Sequence, residues 1–203
     1  GTAQYNVFPL PVESPIHGAR QVLNDPSEPV PSPYGWHDTN GAIGAEYNIT
    51  RGNNVYAYED ANNDNIPGFS PDGGATQIFN FPYSIDSSTA ANQSASITNL
   101  FYMNNVIHDI LYPNGFNEVA GNFQFNNYGN GGLGNDYVNA EGLDGGGTNN
   151  ANFSTPNDGS NPRMQMYLWT GGSQSSCSNL NILTPVAIAG SKSIGFATYN
   201  PAS

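Results

Sequence analysis

Basic side chains are scarce in this sequence. Four Lys and Arg residues stand against 16 Asp and Glu residues in a chain of 203, so the formal net charge is −12. Nucleic acids and anionic membrane surfaces both attract clustered basic side chains. A chain this acidic is therefore not expected to bind either of them.

Cysteine and long apolar runs are scarce as well. Cys177 is the single cysteine, so no disulfide can form within the chain. No run of about 18 apolar residues occurs, so we expect no membrane-spanning helix. Charged residues make up 10% of the chain and aromatic residues 12%, which is unlike a highly charged disordered protein. Little lysine together with much asparagine and tyrosine is typical of secreted bacterial proteins, so we expect an extracellular location.

The motifs of common hydrolase centres are also missing. No H-E-x-x-H segment occurs around His17, His37 or His108, so no zinc site can be assembled from ligands close in sequence. No G-x-S-x-G segment is present either. Asp109 follows His108, but adjacent residues of a helix are not expected to face each other. We expect this histidine to bond between helix and loop instead, and the sequence alone predicts no catalytic residue.

The periodicity of the apolar residues predicts one long helix over residues 89–111. Ser88 and its neighbours can cap its N-terminus, and Pro113 stops it. Short strands are predicted at 47–50, 55–58, 78–81, 151–153 and 164–169, the last two as a hairpin. The proline-rich residues 1–35 are expected to be extended and irregular, and residues 116–148 to form a glycine-rich loop.

An acidic segment spaced like a calcium-binding loop follows the second of these strands. Asp60, Asn62 and Asp64 alternate as D-x-N-x-D, which turns three oxygen ligands inward in a tight loop, and Ca²⁺ prefers oxygen ligands. No glycine stands at the sixth position and no glutamate at the twelfth. Asp and Asn also form ordinary solvated turns, so the segment is either a calcium site or a plain turn.

Residues 149–153, Asn-Asn-Ala-Asn-Phe, open the predicted hairpin. An edge strand there would offer unpaired N–H and C=O groups to an extended peptide, and asparagine adds an amide that both donates and accepts. Any edge strand has such groups, so these residues alone indicate peptide binding only weakly.

Several longer segments stand in a fixed order along the chain. They are Ser-Pro-Tyr-Gly-Trp-His at 32–37, Thr-Arg-Gly-Asn-Asn at 50–54, Leu-Phe-Tyr at 100–102 with Asn105 and His-Asp at 108–109, Gly-Phe-Asn-Glu at 115–118, Ala-Gly-Asn-Phe-Gln at 120–124, Gly-Asn-Asp-Tyr at 134–137, Gly-Thr-Asn-Asn-Ala-Asn-Phe at 147–153, and Arg-Met-Gln-Met-Tyr-Leu-Trp at 163–169. From about residue 5 to residue 169, the chain resembles the fungalysin family of secreted zinc metalloendopeptidases, which are related in architecture to thermolysin.

The resemblance implies an α+β fold, namely the β-rich, loop-rich N-terminal lobe of a thermolysin-like metallopeptidase with one long helix. In enzymes of that architecture an Asn-Ala pair on an edge strand bonds the substrate backbone. Asn150 and Ala151 match that pair, and they are followed by Asn152 and by Phe153 in the place of an aromatic residue. These four are therefore the expected substrate-binding residues, with a protein or peptide as the substrate.

The resemblance also implies a zinc ion whose ligands are absent from this sequence. The family's H-E-x-x-H helix and a further glutamate would lie C-terminal to the matched segments. We therefore expect this chain alone to be inactive and to need the zinc-bearing part of the same enzyme as its partner. Calcium, at Asp60, Asn62 and Asp64, is the second expected ion.

The same resemblance divides the chain into three parts. Residues 1–169 would form the N-terminal lobe, residues 170–179 a linker, and residues 180–203 the start of a protease-associated domain, which some bacterial members carry. Two alternatives stay open. One is a non-catalytic, calcium-stabilised module that binds peptides or a surface, and the other is a purely structural surface protein.

Overall fold

A computed structural model describes residues 3–169 of the chain. The expected linker at 170–179 and the expected start of a protease-associated domain at 180–203 lie outside the described residues. The elements are β1 (Gln4–Val7), β2 (Gln21–Asn24), β3 (Val55–Glu59), β4 (Ile78–Phe79), α1 (Thr89–Leu111), β5 (Val138–Thr148), β6 (Ala151–Ser154) and β7 (Arg163–Leu168), with short 3₁₀ turns at Tyr112–Asn114 and Glu118–Ala120.

Helix α1 begins and ends where the sequence predicts. The Ser88 hydroxyl oxygen accepts a hydrogen bond from the Ala91 N–H (3.3 Å) and so caps the N-terminus. Pro113 falls in the 3₁₀ turn that follows the helix, because proline has no N–H with which to continue the helical pattern. The buried face of α1 includes Ile97, Leu100 and Phe101 and forms the middle of the apolar core.

The smaller sheet has the strand order β2-β1-β4. Strand β1 pairs antiparallel with β2 and parallel with β4. The Tyr5 ring stacks on Phe79 with 5.4 Å between ring centroids, and it lies at the same distance from Trp36. The proline-rich start therefore differs from the irregular segment that we expected. Two of its stretches pair as strands, β1 before the first proline and β2 between Pro15 and Pro26. In β1, Tyr5 and Val7 alternate with polar residues and become buried.

The larger sheet has the strand order β3-β5-β7-β6. Strands β3, β5 and β7 run parallel, and β6 pairs antiparallel with β7 at the edge. The α+β fold class and the hairpin of β6 and β7 are thus confirmed. The strand predicted at 47–50 is wrong, since the structure has only isolated bridges there. Ile49 bridges to Asp72, and Arg51 folds back onto Tyr56 of β3.

Strand β5 lies inside the segment that the sequence predicted as a loop, so that prediction is wrong for residues 138–148. The glycines of β5 lower its apparent strand propensity. Between Gly142 and Asp144 the register with β7 shifts by one residue, and Leu143 has φ +56°. This extra residue makes a β-bulge.

The two faces of the larger sheet differ in chemistry. The face toward α1 is apolar and buries Val55, Ala57, Val138, Ala140, Met164 and Met166. On the opposite face, one polar side chain from each strand lies at the same level: Tyr58, Glu141, Gln165 and Asn152. We call these four residues the transverse row. It connects the inner strands to the edge strand.

Candidate functional site

Strand β6 forms an open edge of the larger sheet. Its register pairs Ala151 with Met166. One residue earlier, the Asn150 carbonyl accepts a hydrogen bond from the Tyr167 N–H (3.3 Å). Hydrogen-bonded and non-bonded pairs alternate between antiparallel strands. The backbone N–H and C=O groups of Ala151 and Phe153 therefore point away from β7, toward the open edge.

The chain reaches this edge by passing around the end of β7. The Asn149 N–H donates to the Leu168 carbonyl (2.8 Å), and Asn149 has φ +56°, a left-handed conformation that asparagine tolerates better than most residues. Asn150 is exposed, and its Oδ1 accepts from the Ala151 N–H (2.9 Å). The Ala151 donor is thus occupied, whereas the Asn150 Nδ2 group and the Ala151 carbonyl are placed to meet a peptide.

Asn152 and Phe153 point to opposite faces of the edge strand. The Asn152 Nδ2 donates to Gln165 Oε1 (2.9 Å) and to the Tyr167 hydroxyl (2.7 Å), so this amide is held on the polar face. The Phe153 ring lies on the other face, 5.9 Å from the Phe123 ring. All four predicted substrate-binding residues thus come together on one short segment, and the groups that face its open edge belong to Asn150, Ala151 and Phe153.

Asp60 lies in a cluster of three buried carboxylates with Glu141 and Asp144. One carboxylate oxygen of each residue lies within 4.8 Å of the others, and each residue is at most 1% exposed. Residues three apart in a regular strand point to opposite faces. The extra residue at Leu143 brings Glu141 and Asp144 onto the same face. Sequence analysis missed both acids, and the glycines after Asp144 are the one signal that could have marked the bulge.

The other two residues of the predicted calcium loop lie outside this cluster. Asn62 and Asp64 are exposed, and the Asn62 Nδ2 donates to Asp64 Oδ2 (2.9 Å). Asp60 accepts from the N–H groups of Asp64 (3.0 Å) and Asn65 (3.1 Å). The loop is thus held by its own N–H groups, and of its three predicted ligands only Asp60 belongs to the carboxylate cluster.

Burial disfavours the charged forms of the clustered acids. It is the main cause that raises the pKa of Glu141 to about 7, and the charges of Asp60 and Asp144 act in the same direction. Two neighbours oppose the rise: the Tyr58 hydroxyl donates to Glu141 Oε1 (3.1 Å), and the Arg163 Nε lies 3.8 Å from Glu141 Oε2. The pKa of Asp60 is raised as well, again chiefly by burial. The cluster therefore holds more negative charge than its surroundings offset.

His108 and Asp109 contact each other, contrary to expectation. The His108 Nδ1 lies 2.9 Å from Asp109 Oδ1, and both residues are buried. The Cβ atoms of adjacent helical residues point in different directions, but the imidazole side chain is long enough to reach the neighbouring carboxylate. The His108 Nε2 lies 3.4 Å from Asn122 Nδ2, so the ring also links the helix to the following loop, as expected.

Comparison with known proteins identifies the family. The model of the fungalysin metallopeptidase family (M36) matches residues 4–186. The chain belongs to this family. Three fungal fungalysin relatives are similar to it. The Leptosphaeria maculans extracellular metalloproteinase MEP is 45% identical over 171 residues, covering 83% of this chain and 26% of the relative. Extracellular metalloproteinase 2 of Phaeosphaeria nodorum is 42% identical over 173 residues, covering 83% and 27%.

The third fungalysin relative is the extracellular metalloproteinase mep of Aspergillus fumigatus, 42% identical over 180 residues, which cover 83% of this chain and 26% of the relative. The chain thus spans about a quarter of the length of the curated relatives it matches. All three are named extracellular, which confirms the prediction of a secreted protein. Among residues 3–169, no helix has both the length and the apolar character needed to cross a membrane.

Fungalysins are zinc-dependent in general, but the described histidines do not fit a zinc site. His37 is buried with its Nδ1 at the Arg51 carbonyl (2.9 Å). His108 is engaged at both ring nitrogens, and His17 lies beside Glu13 at the surface. A zinc site needs three or four ligands that converge on one point. No zinc chemistry is therefore assigned to residues 3–169.

Proposed function

We propose that this chain is the substrate-aligning, N-terminal part of a secreted zinc metalloendopeptidase that hydrolyses protein substrates. An extended segment of the substrate pairs with β6, and residues outside this sequence supply the zinc ligands and the catalytic glutamate. The open edge of β6, with the backbone groups of Ala151 and Phe153 directed outward, is the observation that carries the proposal. Membership of a metallopeptidase family supports it.

In this proposal each group at the edge has its own role. The Ala151 carbonyl accepts a hydrogen bond from a substrate N–H, and the Asn150 Nδ2 donates to a substrate carbonyl. Because these groups lie on a strand of a packed sheet, they hold the scissile bond in one orientation, which removes part of the entropic barrier of the reaction. The chain alone is inactive in this proposal, and its partner is the zinc-bearing part of the same enzyme. Calcium is kept as the second ion, with Asp60 as a ligand.

Replacement of Asn150 tests the side-chain part of this proposal. In the complete enzyme, Asn150→Ala should lower kcat/KM for a peptide substrate by about tenfold or more, because a lost hydrogen bond that weakens alignment by about 1.4 kcal/mol corresponds to a tenfold change. Asn157→Ala is the matched control, since Asn157 is an exposed asparagine in the turn between β6 and β7. Zinc content and melting temperature should stay at parental values in both variants. Unchanged kinetics in Asn150→Ala would remove this residue from the site.

Backbone methylation of the peptide tests the Ala151 carbonyl, which no substitution can remove. In strand pairing, only every second peptide N–H points toward the partner strand. N-methylation at the paired position should therefore abolish cleavage, whereas N-methylation at the next position should leave most of it. Equal effects at both positions would contradict pairing with β6. Peptide binding by the complete protein without any turnover would instead support the non-catalytic binding module.

A further inference from the structure

Three carboxylates lie close together near the Tyr58 end of the transverse row, and a single basic side chain lies beside them. Asp60, Glu141 and Asp144 bring three negative charges together when ionised. Within residues 3–169, Arg163 is the one Lys or Arg that forms an ion pair with this cluster. Its guanidinium group is shared, because it also donates to Asn65 Oδ1. Buried charges need partners, and the cluster lacks two positive charges.

One oxygen of this cluster has no hydrogen-bond donor. Glu141 is fully buried, and its Oε1 accepts from the Tyr58 hydroxyl (3.1 Å). Its Oε2 receives no hydrogen bond from any described residue, since the Arg163 Nε is too distant at 3.8 Å. Buried polar atoms in native structures almost always have a partner. An orphaned oxygen on a carboxylate that faces two others therefore needs either a cation or a proton beside it.

We propose that Asp60, Glu141 and Asp144 bind one calcium ion. Ca²⁺ takes oxygen ligands at about 2.3–2.6 Å, so three oxygens that lie within 4.8 Å of one another can all contact the same ion. Its two positive charges match the deficit of the cluster. The site shares only Asp60 with the loop that the sequence predicted. It goes beyond peptide binding at β6 and does not depend on it.

The loop after β3 brings a neutral oxygen near Asp144. A Cβ built on Gly146 would lie 2.7 Å from Asn63 Oδ1 and 2.9 Å from Asp144 Oδ1. The amide oxygen of Asn63 and Asp144 Oδ1, which accepts from the Gly146 N–H (2.6 Å), thus both lie beside Gly146, whose missing side chain leaves room for them. Because calcium accepts amide as well as carboxylate oxygens, Asn63 is the fourth candidate ligand.

Asp144 also connects the cluster to the edge strand. The Gln165 Nε2 donates to Asp144 Oδ2 (2.8 Å), and the Gln165 Oε1 accepts from the Asn152 Nδ2 (2.9 Å). A side-chain amide has one donor end and one acceptor end, so fixing Asp144 also fixes which way Gln165 faces. A bound calcium ion would therefore stiffen β6 as well as its own site.

The test is a calcium titration of the complete mature protein, with calcium removed by dialysis against calcium-free buffer and the zinc content measured afterwards. Isothermal titration calorimetry with CaCl₂ should show one site per chain at the cluster. Glu141→Gln and Asp144→Asn each remove one charge with little change of shape, and each should weaken binding by about tenfold or more. Asp64→Asn is the matched control, because Asp64 is an exposed acid of the neighbouring loop. It should change the affinity by less than about twofold.

Two further measurements on the unmodified protein guard against variants that fold poorly. Tb³⁺ occupies calcium sites and emits when a nearby tyrosine is excited, and Tyr58 touches the cluster. We expect sensitised emission that CaCl₂ displaces. Hydrogen exchange at residues 150–154 should slow when calcium is added, because Gln165 links the cluster to β6.

Two results would overturn the proposal. The first is no calcium binding at millimolar CaCl₂, because the three carboxylates would then be stable side by side without a cation. The second is calcium affinity that Asp64→Asn removes and Glu141→Gln leaves unchanged, because the ion would then lie on the exposed loop.

Discussion

The carboxylate of Asp109 joins the N-terminal segment to the end of α1. It accepts four hydrogen bonds: from the Glu28 N–H (3.0 Å), the Ser32 hydroxyl (2.8 Å), the Trp36 Nε1–H (2.9 Å) and the His108 Nδ1 (2.9 Å). Because an ionised carboxylate can only accept, His108 must carry its proton on Nδ1. All acceptor positions of this buried side chain are used, so its removal should lower the free energy of unfolding of the protein.

Two substitutions of Asp109 separate the effects of charge and of hydrogen bonding. Asp109→Ala leaves the Trp36 N–H and the Ser32 hydroxyl buried at 2% and 4% exposure without this acceptor. An orphaned buried donor costs about 1–3 kcal/mol, so we expect a loss of about 3–5 kcal/mol. Asp109→Asn keeps one oxygen for the Trp36 and backbone donors. Its NH₂ then faces the Ser32 hydroxyl, which can accept, and the His108 Nδ1, which can accept once the ring proton moves to Nε2, so the loss should be only about 1–2 kcal/mol.

Urea unfolding of the complete protein, followed by tryptophan fluorescence and circular dichroism, measures both losses. Asp86→Ala is the control, because Asp86 is exposed and should stay within about 0.5 kcal/mol of the parent. If Asp109→Ala and Asp109→Asn lose the same stability, the argument is refuted that the asparagine amide can donate two of the four hydrogen bonds that the aspartate accepts. A loss below about 1 kcal/mol in Asp109→Ala would refute the view that this carboxylate holds the two segments together.

Three further outcomes follow from single contacts. Gly52→Ala should destabilise by about 3 kcal/mol or more in thermal melts, because a Cβ there would lie 1.7 Å from the Trp36 carbonyl oxygen. Ser88→Ala should cost about 1 kcal/mol in urea unfolding through loss of the α1 cap. Without calcium, stability should fall by about 3 kcal/mol as the pH rises from 4.5 to 7, because the pKa of Glu141 is raised from 4.5 to about 7 and the folded state alone holds the proton in that range. Glu141→Gln or added calcium should reduce this slope, and the part that remains in Glu141→Gln comes from other acids with a raised pKa, such as Asp60.

The sequence predicts helix α1 and the hairpin of β6 and β7, because both depend on residues that are close together in the chain. Helix α1 follows from apolar spacing, from the Ser88 cap and from Pro113, all of which act within a few residues. The hairpin of β6 and β7 follows from the turn residues between two runs of strand formers. The position of β6 at the edge does not follow in the same way. It depends on the path around the end of β7 at Asn149, and only the family resemblance pointed to it.

Strand β5 and the carboxylate cluster could not be predicted from local patterns. The parity of a regular strand places Glu141 and Asp144 on opposite faces, so sequence reasoning has no ground for pairing them. A bulge at one residue, Leu143, reverses that parity. The third acid, Asp60, is brought in by the parallel pairing of β3 with β5, a contact between residues about 80 positions apart. The same limit applies to Asp109, whose partners lie 73 to 81 positions earlier in the chain, apart from the adjacent His108.

The register of the larger sheet links its core to the proposed sites. Ala140 pairs with Met164, and both face α1, while the next pair, Glu141 with Gln165, faces the opposite side. A slip of one residue would turn Glu141 toward the apolar face of α1, so burial of the core selects the register strongly. The same register places Gln165 between Glu141 and Asn152. The alternation of side chains that buries the apolar residues of the sheet therefore also places the polar residues that connect the carboxylate cluster to the edge strand.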